Sequence, residues 1–112
     1  MSARDIVQRI DATSSGFEVF SPEMRRLVPL TSWRRVKRVV AFKRDLLTWD
    51  TICLSIEWDG GQIAVWEETE GWEALILGLG DWLPGMPAKD AWWSGVAYPP
   101  FETNYTVLWP RT

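Results

Sequence analysis

The densest run of side chains able to do chemistry is Glu67-Glu68-Thr69-Glu70. Neighbouring carboxylates can relay a proton or hold a hard cation. The ligand spacing of a calcium loop is absent. The run also stands where a helix is expected to begin, and negative charge there meets the positive end of the helix dipole. The single cysteine, Cys53, lies in mid-strand between Thr51 and Ser55. A reactive thiol needs access and nearby positive charge, whereas a packed one behaves as a small apolar residue.

Histidine is absent from the chain. That removes the commonest general base and the commonest metal ligand together, and with them Ser-His, Cys-His and imidazole-dependent zinc sites. No cofactor is expected. One cysteine forms no internal disulfide, which suits a reducing compartment. The first residues, MSARDIVQRIDATSSG, read as neither a signal peptide nor a membrane span. The expectation is a cytoplasmic protein with no membrane partner. Asn104-Tyr105-Thr106 matches a glycosylation acceptor but comes with no export signal.

The elements that must position these groups follow from periodicity. Thr51 to Trp58 alternates strictly: Ile52, Leu54, Ile56 and Trp58 share one face, and Thr51, Cys53, Ser55 and Glu57 the other. Asp59-Gly60-Gly61 supplies a hairpin turn, and Gln62 to Glu67 returns. A two-residue loop of Asp59-Gly60 sets Ile56 opposite Ile63. A loop of Gly60-Gly61 sets Trp58 there, and parity is the same in both. Thr69 is the expected cap of a helix over about 70–83, with Trp72, Leu75, Ile76, Leu79 and Leu83 as its apolar stripe. Gly78 and Gly80 each cost that helix about 1 kcal/mol against alanine. Pro84-Gly85 ends it.

Upstream, residues 2–12 read as a short helix or a frayed end, 17–20 as a short strand, and 27–30 as an edge piece limited by Pro29. Thr31 to Val36 reads as a capped turn and 37–42 as a strand, followed by a polar loop over 44–50. Residues 86–101 read as irregular, and Tyr105 to Trp109 as a final strand. Strands, one helix and a last strand within 112 residues predict a single α+β domain. Its core is a mainly antiparallel sheet, a meander or roll, with a C-terminal strand.

Nine tryptophans are the most unusual feature of the composition. Each buries about 150–250 Å² when packed, so a core of this size does not absorb them all. Trp33, Trp58 and Trp72 fall on core faces. Trp66 points away from Ile63 and Val65, beside Cys53 or Ser55. In a meander, the 44–50 loop and the exit of the Gln62–Glu67 strand share one end of the sheet. Trp49 and Trp66 are therefore expected together, flanked by Asp50, Glu67, Glu68 and Arg44. An aromatic pair with a polar rim suits an interface or a small-ligand site, and equally a satellite apolar cluster under a loop.

The charge is sorted along the chain. Met24 to Arg44 holds eight basic residues and no acid, and Asp45 to Ala88 holds nine acids and no base. Neighbouring antiparallel strands can pair such rows internally, or the molecule can present a basic edge to an acidic partner. The net charge of −3 argues against nucleic acid.

The stretches Trp33-Arg34-Arg35-Val36 and Val39 to Leu46 resemble a group of small, uncharacterised bacterial proteins. Glu67-Glu68-Thr69-Glu70-Gly71-Trp72 and Pro99 to Leu108 fit the same group. That resemblance spans most of residues 30–110 and implies no activity and no functional residue. The Trp-x-x-Val turn feeding a strand is also similar to the way strands begin in bacterial pleckstrin-homology-like domains. Those domains end in a helix, whereas this chain is expected to end in a strand.

The functional expectation is a non-enzymatic binding or protein-interaction domain, a homodimer included, with a protein or small ligand as partner. An immunity- or antitoxin-like inhibitor is the alternative within the binding class. A small enzyme relying on Glu67, Glu68 and Asp50 is the alternative outside it.

Overall fold

In the computed structural model of this chain, residues 9–45, 50–97 and 104–110 are described. Three short strands come first: β1 (Arg9–Thr13), β2 (Gly16–Phe20) and β3 (Arg26–Thr31). They form an antiparallel sheet in the order β1-β2-β3. Ser32 then caps a 3₁₀ turn, Trp33–Arg35, its hydroxyl accepting from the Arg34 N–H at 3.2 Å.

The chain continues through β4 (Val36–Asp45), β5 (Asp50–Trp58), β6 (Gly61–Trp66), helix α1 (Trp72–Trp82), helix α2 (Lys89–Ala97) and β7 (Asn104–Trp109). The second sheet is antiparallel throughout, in the order β6-β5-β4-β7. The architecture is α+β with antiparallel sheets, as the element pattern predicts.

The β5–β6 hairpin closes on Asp59-Gly60, which places Ile56 opposite Ile63 and Leu54 opposite Val65. Neither turn residue has a positive φ. Space at Gly60 is tight: a Cβ there would lie 3.0 Å from both Arg35 Nη2 and Trp58 Nε1, so either side chain would have to give by a few tenths of an ångström.

The inward face of the larger sheet carries Val39, Ala41, Ile52, Leu54, Ile56, Ile63, Val65 and Leu108. The α1 stripe of Trp72, Leu75, Ile76 and Leu79 packs into the same core, with Leu83 after it. Ile10, Phe17 and Val19 bring the smaller sheet into that core. The two sheets and the helices thus share one apolar interior. Lys43 has the inward parity too and is 1% exposed, so the basic block of the sequence is not a single surface.

Several local expectations are corrected. Thr69 does not cap α1; the capping position is Gly71, at φ +92°. A Cβ at Gly71 would collide with the Ile10 carbonyl oxygen, and the Ile10 N–H donates to the Glu70 carbonyl at 2.8 Å. Close passage of β1 therefore dictates glycine at the helix start. Thr69 instead closes the preceding turn, its hydroxyl accepting from the Trp66 N–H at 3.2 Å and its carbonyl from the Trp72 N–H at 3.0 Å.

Residues 9–13 are strand rather than helix, because pairing with β2 takes up their backbone groups; residues 2–8 lie outside the described residues. The expected loop at 44–50 is shorter, since β4 runs to Asp45 and β5 begins at Asp50. Within 86–101, expected to be irregular, α2 forms. Trp92 and Val96, four apart, turn into the core. Among the described residues no helix is long and apolar enough to cross a membrane.

Candidate functional site

The register of the four-stranded sheet aligns its outward residues into rows. Trp66, Cys53, Phe42 and Tyr105 form one row across β6, β5, β4 and β7. Ala64, Ser55, Val40 and Val107 form the next, and Gln62, Glu57 and Arg38 the third. The Phe42 and Tyr105 rings stack with centroids 5.4 Å apart and 14° between planes. Cys53, the small residue between Phe42 and Trp66, is 1% exposed. Ser55 beside it accepts from Gln62 Nε2 at 2.8 Å.

An antiparallel sheet with one solvated face normally alternates apolar inward and polar outward. Here the two central outward rows are apolar or small. Tyr105 is 73% exposed and Val107 53%, while Val40, Phe42, Ala64 and Trp66 are half-buried. The third row is polar and internally neutralised, with Arg38 donating two hydrogen bonds to the Glu57 carboxylate. That bonding raises the Arg38 pKa further above its ordinary value.

Trp66, of the expected site, lies on this face. Glu67 follows it and closes the end of the β5–β6 ladder: its Oε1 accepts from the Ile52 N–H at 2.8 Å, and its own N–H donates to the Ile52 carbonyl at 3.2 Å. Glu68 is exposed in the turn beyond. Arg44 and Asp50 are placed by their backbones, opposite Thr51 and Asp45 respectively, at the same end of the sheet. Trp49 lies outside the described residues.

Phe42, Tyr105, Val40 and Val107 belong to the site and were not singled out from the sequence. Val39-Val40-Ala41-Phe42 is apolar on both faces, so alternation does not say which members point outward. Only the pairing register does.

A second concavity opens on the helix side, where Glu67, Trp72, Glu73, Ile76, Leu77, Lys89 and Trp93 enclose about 360 Å³. Its second carboxylate is Glu73 and not Glu68. The Lys89 ammonium lies over the Trp93 ring, 4.3 Å from its centroid.

Other described tryptophans are engaged in the fold. Trp33 donates from Nε1 to the Thr13 carbonyl at 2.6 Å and packs on Phe17 and Trp82. Trp58 meets Phe17 edge-on, and Trp72 and Trp92 are buried. Trp109 donates to the Pro84 carbonyl at 2.8 Å. Half-buried indoles border both openings: Trp66 beside the open face, and Trp93, tilted against Trp92 with centroids 5.6 Å apart, beside the cleft.

The sorted charges pair in part across the strands. Arg35 meets Asp59 at 2.7 Å and Arg38 meets Glu57, whereas Arg26 meets Glu18, outside the acidic block, at 3.2 Å. The hydrogen bond from Arg35 lowers the Asp59 pKa below its ordinary value. Among the described residues no three Cys, Asp or Glu side chains gather at metal-binding distances.

Comparison of the chain with protein-family models, with curated proteins and with solved structures finds no match in any of the three.

Proposed function

We propose that this chain is a protein-interaction domain that associates with a second copy of itself through the outer face of the β6-β5-β4-β7 sheet. The observation that carries this reading is the row Trp66–Cys53–Phe42–Tyr105, with Val40 and Val107 beside it, turned away from the core. Contiguous apolar surface of this kind marks interaction sites on soluble domains. A two-fold contact brings a face against itself, so any net charge on that face opposes it. Among the described side chains of this face, Arg38 and Glu57 neutralise each other within one protomer. Two twisted sheets packed face to face would cover the aromatic row in the manner of a sandwich.

Sedimentation velocity over a wide concentration range tests this, using wild type and a Tyr105→Glu/Val107→Glu double variant. Both side chains are largely exposed in the monomer, so the variant should retain the wild-type circular dichroism. Wild type is expected to move towards twice the monomer mass, and the variant to stay monomeric. A wild type that remains monomeric throughout, or a variant that dimerises equally well, removes the reading.

A further inference from the structure

The cleft between α1 and α2 has the composition of a receptor for a small organic cation. It holds about 360 Å³, within the range of small-molecule sites. Trp72 and Trp93 supply aromatic surface, Ile76 and Leu77 apolar surface, and Glu67 and Glu73 two carboxylates. Its one basic side chain, Lys89, makes no ion pair within 4 Å with either carboxylate. Instead its ammonium rests on the Trp93 face. Lys89 and Trp93 are four residues apart on one face of α2, which allows this contact along the helix.

An ammonium over an indole face is held by the ring quadrupole, the same attraction that aromatic sites use for ligand cations. With two carboxylates and one ammonium, the lining keeps one net negative charge. Part of the site is also fixed in advance. Glu67 is held by its two hydrogen bonds to Ile52, and Trp72 is anchored in the core.

We propose that this cleft binds a small ligand bearing an alkylated ammonium group, and that Lys89 is a built-in competitor occupying the aromatic face until the ligand displaces it. The ligand's cation takes the place of the Lys89 ammonium over Trp93, and Glu73 and Glu67 offset its charge. Lys89, at the first turn of α2 and exposed, moves into solvent. This site is independent of the outer sheet face.

The test is a titration of the full, isotope-labelled chain with choline chloride, followed through the indole N–H resonances. Dimethylbutanol, the uncharged isostere of choline, and sodium chloride serve as controls. The Trp93 resonance is expected to shift saturably with choline only, while that of Trp33, bonded to Thr13 in the core, stays in place. Lys89→Met keeps the bulk of the stem and removes the competitor, so it should tighten binding by about three- to tenfold. Glu73→Gln should weaken it. Tyr105→Glu/Val107→Glu should leave the choline response unchanged. The proposal is overturned if Lys89→Met shows no saturable shift at Trp93, if it binds no more tightly than wild type, or if dimethylbutanol acts like choline.

Discussion

The indole of Trp82 lies stacked on that of Trp33, with centroids 5.2 Å apart and 20° between the ring planes. Gly78, one turn back along α1, leaves the room for it: a Cβ at that position would collide with the Trp82 ring. Gly80, two residues on, is exposed, and the nearest atom to a Cβ there is the Met86 carbonyl oxygen at 4.0 Å. Alanine should therefore have opposite effects at the two positions. Gly80→Ala is expected to stabilise by about 0.5–1 kcal/mol through helix propensity alone. At Gly78 that gain is outweighed by displacing Trp82 from Trp33, since overpacking costs about 1–3 kcal/mol and an aromatic pair contributes about 0.5–1.5 kcal/mol. Urea unfolding of the two variants reads the difference, and equal shifts of the same sign would refute this account of Gly78.

Met24 holds a left-handed backbone, φ 61°, at the turn between β2 and β3. The turn is tied down by Ser21, whose carbonyl accepts from the Met24 N–H at 2.8 Å and whose hydroxyl accepts from the Arg25 N–H at 3.1 Å. The Met24 side chain is 48% exposed and contributes little packing. Left-handed geometry costs an L-residue about 1–2 kcal/mol, and glycine avoids it at some entropic cost in the unfolded chain. Met24→Gly should raise stability by about 0.5–1 kcal/mol. Chemical denaturation checks this, and a destabilised variant would mean that the side chain makes a contribution the turn geometry does not account for.

Asp59 titrates lower in the folded chain than in the unfolded one, chiefly because of its hydrogen bond from Arg35. A depressed carboxylate pKa stabilises the fold at pH values above the unfolded value. That contribution fades as the pH falls through the ordinary aspartate range towards the lower folded value. Both side chains are about half-exposed, so the effect is small and screened by salt. Unfolding measured from neutral to acid pH should fall less steeply for Asp59→Asn than for wild type, and the two should converge at the acid end. Parallel curves would exclude the pair as a source of acid sensitivity.

Cys53 is 1% exposed and is flanked in its row by Trp66 on one side and Phe42 on the other, the neighbours best placed to cover it. Trp66→Ala opens one flank at a cost of about 1–2 kcal/mol in stability. Labelling of the native thiol by an aromatic disulfide reagent should then be at least about tenfold faster than in wild type, as expected when access limits reaction. Tyr105→Ala, one strand beyond Phe42, should leave the rate near that of wild type. If the two variants label alike, Trp66 is not the cover.

Local rules reach a definite depth in this chain. The alternation of 51–58, the Ser32-capped turn, the α1 stripe and the final strand are all set by side-chain period and capping chemistry, which act within a few residues. Trp66 was legible as an outward indole because parity from Ile63 and Val65 is independent of register. The second helix was not, since Trp92 and Val96 offer only two inward positions between proline-rich flanks, and packing against the sheet supplies the rest of its stability.

By itself, then, the sequence determined the fold class, the inward face of the central hairpin and the absence of imidazole chemistry. Tertiary structure decided everything that depends on which strand lies beside which. It aligned Tyr105, Phe42, Cys53 and Trp66 in one row from four strands. It brought Lys89 and Trp93 up against Glu67 and Glu73. It also separated Gly78 from Gly80, which helix propensity treats alike, because only one of them lies beneath a ring. The physical reason is the same each time: periodicity fixes the direction of a side chain relative to its own element, and only packing between elements fixes what it meets.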